Sequence, residues 1–221
     1  MARRVVKVYP RFERLWHWTQ MVMIMVLMFT GFGLNGMHNL LPFGPAVMLH
    51  TIAALVLLAV WIFATFWLFT TGTWRQFVPQ LEGLFKMARF YAYGVFRGEE
   101  PPYRKVFWRK HNPLQALTYF GLKVVVFPAI WGSGLLYLTY NFWAVDEGST
   151  FALYVIANVH LLAAYVIVAF VITHVYLLTV GHGFRSHVRP MVTGYDCIDL
   201  TPEQEAYLET NEPGRLMPKE V

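Results

Sequence analysis

The sequence predicts an all-α membrane protein built as a four-transmembrane-helix bundle, and three observations lead to this prediction. Apolar residues make up 57% of the 221 positions and charged residues 14%, whereas a soluble domain carries about 25% charged residues. Four stretches are apolar over about 20 residues or more, which is the length that crosses a bilayer as a helix. Lysine and arginine are almost confined to three of the five segments that flank these stretches.

The four spans are predicted at about residues 16–34, 45–69, 114–140 and 150–180, within a single domain of residues 1–198. The basic N-terminus before the first span resembles a signal peptide, but the apolar run has the length of a full span and no small-residue cleavage site. We therefore expect a retained first helix. Residues 199–221 are polar and are predicted to form a solvent-exposed cytoplasmic tail.

The basic residues predict the orientation of the chain. They are Arg3, Arg4, Lys7, Arg11 and Arg14 before span one; Arg75, Lys86, Arg89, Arg97, Arg104, Lys105, Arg109 and Lys110 between spans two and three; and Arg185, Arg189, Arg215 and Lys219 after span four. Connections 36–44 and 141–149 carry none, and Lys123 lies inside span three. Because positive charge stays inside, both termini and the loop of residues 72–113 should face the cytoplasm of a bacterial or archaeal inner membrane. Within that loop, residues 81–96 are predicted to form an amphipathic surface helix.

Charge and cysteine content exclude several classes of protein. The net charge of +5 does not indicate nucleic-acid binding, because the basic residues lie between apolar spans. The single cysteine, Cys197, cannot form an internal disulfide or hold an iron–sulfur cluster. No C-x-x-C-H motif occurs, which excludes covalently attached haem.

Four histidines lie inside the predicted spans, where ionisable residues are costly and are functional candidates by default. They are His17, His50, His160 and His174. The last two are 14 residues apart, so they leave nearly the same helix face about 21 Å apart along the axis. With the predicted orientation, His50 and His160 share the outer level of the membrane, and His17 and His174 share the inner level. We interpret each pair as the axial ligands of one haem b iron, a common use of a four-helix bundle.

Two other interpretations of the histidines remain open. A transporter or proton-relay protein could use them as proton carriers, although no aspartate or glutamate lies in any predicted span. A purely structural anchor would not need four buried histidines. Small residues at Thr30, Gly31, Gly33, Ser133 and Gly134 would let helices, or a flat macrocycle, approach closely.

Several motifs in this order resemble one known family. They are Arg14-Leu15-Trp16-His17-Trp18, then Phe29-Thr30-Gly31, His50, Asn112-Pro113-Leu114-Gln115, the His160-x13-His174 pair, and His187-x-Arg189-x-Met191-x-Thr193-Gly194-Tyr195. The sequence resembles, from about residue 6 to residue 195, the di-haem cytochrome b subunits of membrane-bound formate dehydrogenase, nickel–iron hydrogenase and thiosulfate reductase.

The resemblance implies roles for particular residues and partners. It implies two haems b, held by the four span histidines in the pairs given above. It also implies a quinone pocket beside the inner haem. The pocket includes Asn112, Gln115 and His174, with His111 next to them. An N-cap role for Asn112, with Pro113 in the first turn, is an equal alternative. The implied function is electron transfer between a periplasmic partner and menaquinone or ubiquinone, as a quinone-reactive subunit rather than a stand-alone enzyme. That partner would be an iron–sulfur subunit of a molybdenum or tungsten enzyme, a hydrogenase, or a multihaem cytochrome c.

Overall fold

The computed structural model describes residues 2–103, 106, 108–144, 147–179 and 184–217. The chain is mostly helical, at about 75%. Its main elements are β1 (Ala2–Lys7), α1 (Arg11–Leu34), α2 (Phe43–Thr70), α3 (Leu84–Ala92), α4 (Pro113–Leu138), α5 (Glu147–Leu178), α6 (Phe184–Thr193), β2 (Tyr195–Leu200) and α7 (Pro202–Asn211).

The predicted all-α membrane fold is confirmed. Within the described ranges, four helices are long and apolar enough to cross a membrane: α1, α2, α4 and α5. Their outer surfaces expose large apolar side chains, such as Phe63, Phe66 and Phe69 in α2, each about two-thirds exposed. Such a surface is stable in lipid and would not be stable in water.

Two helices differ in detail from the sequence-based expectation. The surface helix predicted over residues 81–96 is shorter: α3 begins after Gly83, whose φ of 77° ends the preceding turn, and a 3-10 turn, Gly94–Arg97, follows it. The third span contains a π-helical turn, Leu122–Val126, inside α4. Such turns insert one residue into the helix and often lie at functional sites.

The described residues fall into two compact units. The central unit consists of Val22–Trp61 and Thr118–Leu177, and it contains His50, His160 and His174. Parts of all four spanning helices contribute to it. Inside it, the indole rings of Trp61 and Trp131 meet with their centroids 4.4 Å apart.

The second unit, here called the terminal unit, consists of Met1–Met21, Ile62–Leu117 and Leu178–Val221. It contains His17, His111, Asn112 and Gln115. In this unit, β1 pairs antiparallel with β2, from Ala2 opposite Leu200 to Lys7 opposite Tyr195. The N-terminal strand is therefore held by a segment near the other end of the chain.

The structure differs from the expected solvent-exposed tail over residues 199–217, and residues 218–221 of that tail lie outside the described residues. Leu200 and Leu208 are fully buried, together with Val6 of β1, in a small core that also contains Val8 and Ile198. The sheet buries alternate side chains on one face, and α7 covers that face. A capping box starts α7, in which Thr201 and Gln204 bond each other's backbone N–H groups.

Gly194 is required at the junction of α6 and β2. Its φ is 93°, in the left-handed region that L side chains rarely adopt, and a Cβ there would lie 2.8 Å from the backbone oxygen of Tyr9. The Gly194 carbonyl accepts hydrogen bonds from the backbone N–H groups of Val8 and Tyr9. This glycine therefore lets the segment before α1 lie directly against the start of β2.

Candidate haem and quinone sites

His50 of α2 and His160 of α5 face each other in the central unit. Their ring centroids are 6.4 Å apart and the ring planes make an angle of 60°. The predicted outer-level pair is therefore brought together by the fold. His50 comes early in its helix and His160 near the middle of a 32-residue helix, so both side chains are held by regular backbone.

Each ring is also contacted by a small hydroxyl residue from a third or fourth helix. Thr30 Oγ1 of α1 lies 2.8 Å from His50 Nδ1, and Ser133 Oγ of α4 lies 3.1 Å from His160 Nδ1. Both hydroxyl residues are buried, with exposures of 0% and 6%. All four spanning helices thus contribute one side chain to this histidine pair.

The spacing of the two rings fits a single iron between them. A metal bound to two imidazole nitrogens, at about 2 Å per bond as for zinc, would place the two ring centres about 6 Å apart. The observed separation of 6.4 Å matches this value. Because the hydroxyl contacts engage Nδ1 of each ring, Nε2 is the nitrogen that would bind the iron. The residues present therefore fit a bis-histidine haem.

His174 lies on the same helix as His160, and His17 lies in the other unit. The ring of His174 stacks on Phe170, at 5.5 Å between centroids, and Phe170 meets Tyr119 of α4. His17 is in α1, with its ring edge-on to Trp18 at 5.3 Å. The predicted pairing of His17 with His174 stays a prediction.

Asn112 and Gln115 form a capping box at the start of α4. Asn112 Oδ1 accepts from the backbone N–H of Gln115 at 2.9 Å, and Gln115 Oε1 accepts from the backbone N–H of Asn112 at 3.1 Å. The N-cap alternative for Asn112 is therefore confirmed, with Pro113 at the first helical position. Asn112 is buried, and its Nδ2 donates to Tyr91 Oη of α3 at 3.1 Å.

Two hydrogen-bonding groups beside the capping box are not used by the capping bonds. Gln115 Nε2 takes no part in the capping bonds, and Tyr91 Oη has a proton of its own to donate. Burial raises the pKa of Tyr91 above its usual value, although the bond from Asn112 partly opposes this, so the phenol is neutral at physiological pH. His111 stacks on Phe77 with ring centroids 5.0 Å apart.

The terminal unit contains a buried ion pair between Lys110 and Glu13, which are 97 positions apart in the sequence. Lys110 Nζ lies 2.6 Å from Glu13 Oε2, and the two side chains are 6% and 11% exposed. Burial lowers the pKa of Lys110, more than the attraction of Glu13 raises it. The pair joins the first turn of α1 to the residues that precede α4.

Two kinds of polar contact at the candidate sites were not predicted from the sequence. Thr30 and Ser133 were expected only as small residues that let helices, or a flat macrocycle, approach closely, and no hydrogen bond to a histidine was predicted for either. Tyr91 was missed because nothing in the predicted surface helix marks one aromatic residue over another. The structure, by contrast, gives all three a polar contact with a predicted site residue.

The fold and the histidine pair define a membrane cytochrome b. The family model described as prokaryotic cytochrome b561 matches residues 8–194 of this chain. The chain belongs to this family of multi-pass, haem-binding electron-transfer proteins. It is similar to the Escherichia coli (strain K12) protein "Putative cytochrome YdhU", at 29% identity over 203 residues, covering 86% of this chain and 74% of that protein. No solved structure matches the chain.

Proposed function

We propose that this protein is the membrane subunit of a respiratory oxidoreductase, and that it carries electrons between a periplasmic redox partner and the membrane quinone pool. His50 and His160 would hold an outer haem b, and His17 and His174 an inner one. A haem iron held by two histidines transfers single electrons and keeps no open position for a substrate. The partner would therefore supply the substrate chemistry.

The single observation that carries this proposal is the separation of 6.4 Å between the rings of His50 and His160. A proton relay would require a continuous hydrogen-bonded chain of groups that can pass a proton on. Each of these rings instead contacts a hydroxyl at Nδ1, and that hydroxyl donates its proton to a backbone carbonyl, which cannot pass it on. The distance of 14 residues between His160 and His174 on one helix supports a second level about 21 Å away. Two levels on opposite sides of the membrane interior form a path for electrons across it.

The site of quinone reaction would lie at the cytoplasmic end of α4. Gln115 and Tyr91 offer hydrogen-bond donors there, Asn112 holds both in place, and His111 and His174 complete the candidate set. Reduction of a quinone takes up protons, and a site at this level would take them from the cytoplasm. If electrons arrive from outside, each electron carries one negative charge inward across the membrane. The energy of moving that charge is about 2.3 kcal/mol for every 100 mV of transmembrane potential.

The first test is haem stoichiometry in purified variants. Wild type should contain two haems b per chain with a reducible b-type spectrum. His174→Ala should lose one haem and keep the other. His38→Ala is the matched control, because His38 lies in an outer connection, bonded to the carbonyl of Phe29, and should keep both. A colourless, stable wild-type protein would favour a relay protein or a structural anchor. Loss of both haems, or of neither, from His174→Ala would overturn the pairing.

A second test separates the capping role of Asn112 from a role in quinone binding. Asn112→Ser keeps an N-cap oxygen but removes the amide that holds Tyr91, whereas Asn112→Ala removes both. We expect Asn112→Ser to lower quinone turnover at least tenfold with both haem bands and thermal stability close to wild type. If only Asn112→Ala lowers turnover, and does so together with stability, the residue is a helix cap alone.

A further inference from the structure

The hydroxyls of Thr30 and Ser133 occupy equivalent places on the two rings of the outer histidine pair. Each lies on a different spanning helix from the histidine that it contacts, within 2.8 and 3.1 Å of Nδ1. Each is buried, and each is followed by a glycine that lies against the same ring. The arrangement is thus built twice, once on α1 and once on α4.

The proton of each hydroxyl is already committed to the backbone of its own helix. Thr30 Oγ1 donates to the carbonyl of Val26 at 2.8 Å, and Ser133 Oγ donates to the carbonyl of Ala129 at 2.6 Å. A carbonyl oxygen can only accept, and a hydroxyl has one proton. In its contact with the ring, each hydroxyl therefore accepts a hydrogen bond, and Nδ1 must be the donor.

The two glycines permit this contact. A Cβ at Gly31 would lie 3.4 Å from His50 Cε1, and one at Gly134 would lie 3.2 Å from His160 Cε1. The second distance is tighter than ordinary side-chain contacts. Glycine at these two positions therefore lets the hydroxyl-bearing helices approach the rings closely enough for the Nδ1 bonds to form.

We propose that Thr30 and Ser133 are positioning residues that hold His50 and His160 with Nδ1 protonated and Nε2 directed to a shared haem iron, and that they set the potential of that haem. The inference rests on the proposed haem-binding function of the pair. A hydrogen bond donated by the second ring nitrogen fixes ring orientation and raises ligand basicity. A more basic ligand favours the oxidised iron, so these bonds lower the potential of the outer haem and leave the inner one unaffected.

The test is a redox titration of the visible spectrum in four variants. Thr30→Val and Ser133→Ala remove the hydroxyl, whereas Thr30→Ser and Ser133→Thr keep it. The matched control is Thr70→Val, because Thr70 Oγ1 makes the same backbone bond, to Phe66 at 2.9 Å, at the far end of α2. We expect each removal to favour the reduced outer haem by about tenfold, an upward shift of about 59 mV for one electron. The inner haem, the control and the hydroxyl-keeping variants should stay at wild-type potentials.

The result is decisive even where a variant binds no haem. If Thr30→Val lacks the outer haem and Thr30→Ser retains it at the wild-type potential, the hydroxyl is required and the proposal stands. If Thr30→Ser fails like Thr30→Val, side-chain shape is what matters and the proposal is wrong. Unchanged potentials in Thr30→Val and Ser133→Ala, with two haems present, also overturn it while leaving the proposed function intact. Absence of haem from wild type would instead overturn the proposed function.

Discussion

The buried pair between Glu13 and Lys110 allows a quantitative test of how the terminal unit is held together. The change is Lys110→Met, which keeps an unbranched side chain one atom shorter and removes the ammonium group. It leaves the carboxylate of Glu13 with an exposure of 11% and without the ammonium group 2.6 Å away. The second change, Glu13→Leu, is then added to remove the remaining charge.

The magnitude follows from the geometry. Two unit charges 2.6 Å apart attract by about 6 kcal/mol at an effective dielectric constant of about 20. Desolvation opposes this attraction, and it is strong enough here to lower the pKa of Lys110. Breaking a buried pair on one side typically costs about 3–5 kcal/mol, whereas replacing both partners by apolar residues is often neutral or stabilising. We therefore expect the single change to be severe and the double change to restore stability.

The assay is thermal unfolding in mild detergent, followed by tryptophan fluorescence. At about 2–4 °C per kcal/mol for a chain of this size, Lys110→Met should lower Tm by about 6–20 °C. The double variant should unfold near the wild-type temperature. Glu212→Gln is the control: its pair with Arg215 has the same 2.6 Å separation but is about one-third exposed, so its loss should change stability by about 1 kcal/mol or less. If Lys110→Met is no worse than this control, or the double variant is worse than the single, the desolvation argument is refuted.

Two further predictions follow from close packing. Gly134→Ala should weaken haem retention more than Gly31→Ala, because its added Cβ would come within 3.2 Å of a histidine ring instead of 3.4 Å; equal retention on dilution or heating would contradict this. Leu208→Ala should destabilise the terminal unit by about 2–5 kcal/mol, because the side chain is fully buried. The loss of stability should appear as faster protease cleavage after residue 194, with unchanged haem bands. The control is Tyr207→Ala, because Tyr207 is a half-exposed neighbour on α7, and it should show no faster cleavage.

The spans and the pairing of His50 with His160 could be predicted from the sequence because lipid imposes simple rules. Long apolar runs give the helices, and the distribution of lysine and arginine orders them across the membrane. Those two steps place His50 and His160 at one level before any contact is known. Their meeting in the structure, at 6.4 Å between ring centroids, follows from the same reasoning.

The polar contacts could not be predicted in the same way. The bond between Thr30 and His50 depends on the rotation of two helices about their axes, which hydropathy does not determine. The Glu13–Lys110 pair depends on how a loop of about forty residues returns to α1. The capping box of Asn112 and Gln115 was within reach, because it is local in sequence and involves residue types that favour such caps.

The terminal sheet was missed for a different reason. Its strands are separated by nearly the whole chain, and the segment Tyr195–Leu200 contains two aspartates, so composition favoured an exposed tail. The burial of Leu200 and Leu208 becomes apparent only when Val6 of β1 packs into the same cluster. Patterns of this kind are non-local and leave no periodic signal in either strand alone.

The pairing of β1 with β2 has a consequence for biosynthesis. The first strand leaves the ribosome almost two hundred residues before its partner, so its valines stay uncovered while every span is inserted. Pairing of β1 with β2 closes a loop of nearly the whole chain, which is entropically costly and slow. This pairing therefore forms last. A chain interrupted before residue 195 would lack the partner of β1 and would leave the edge of that strand unpaired.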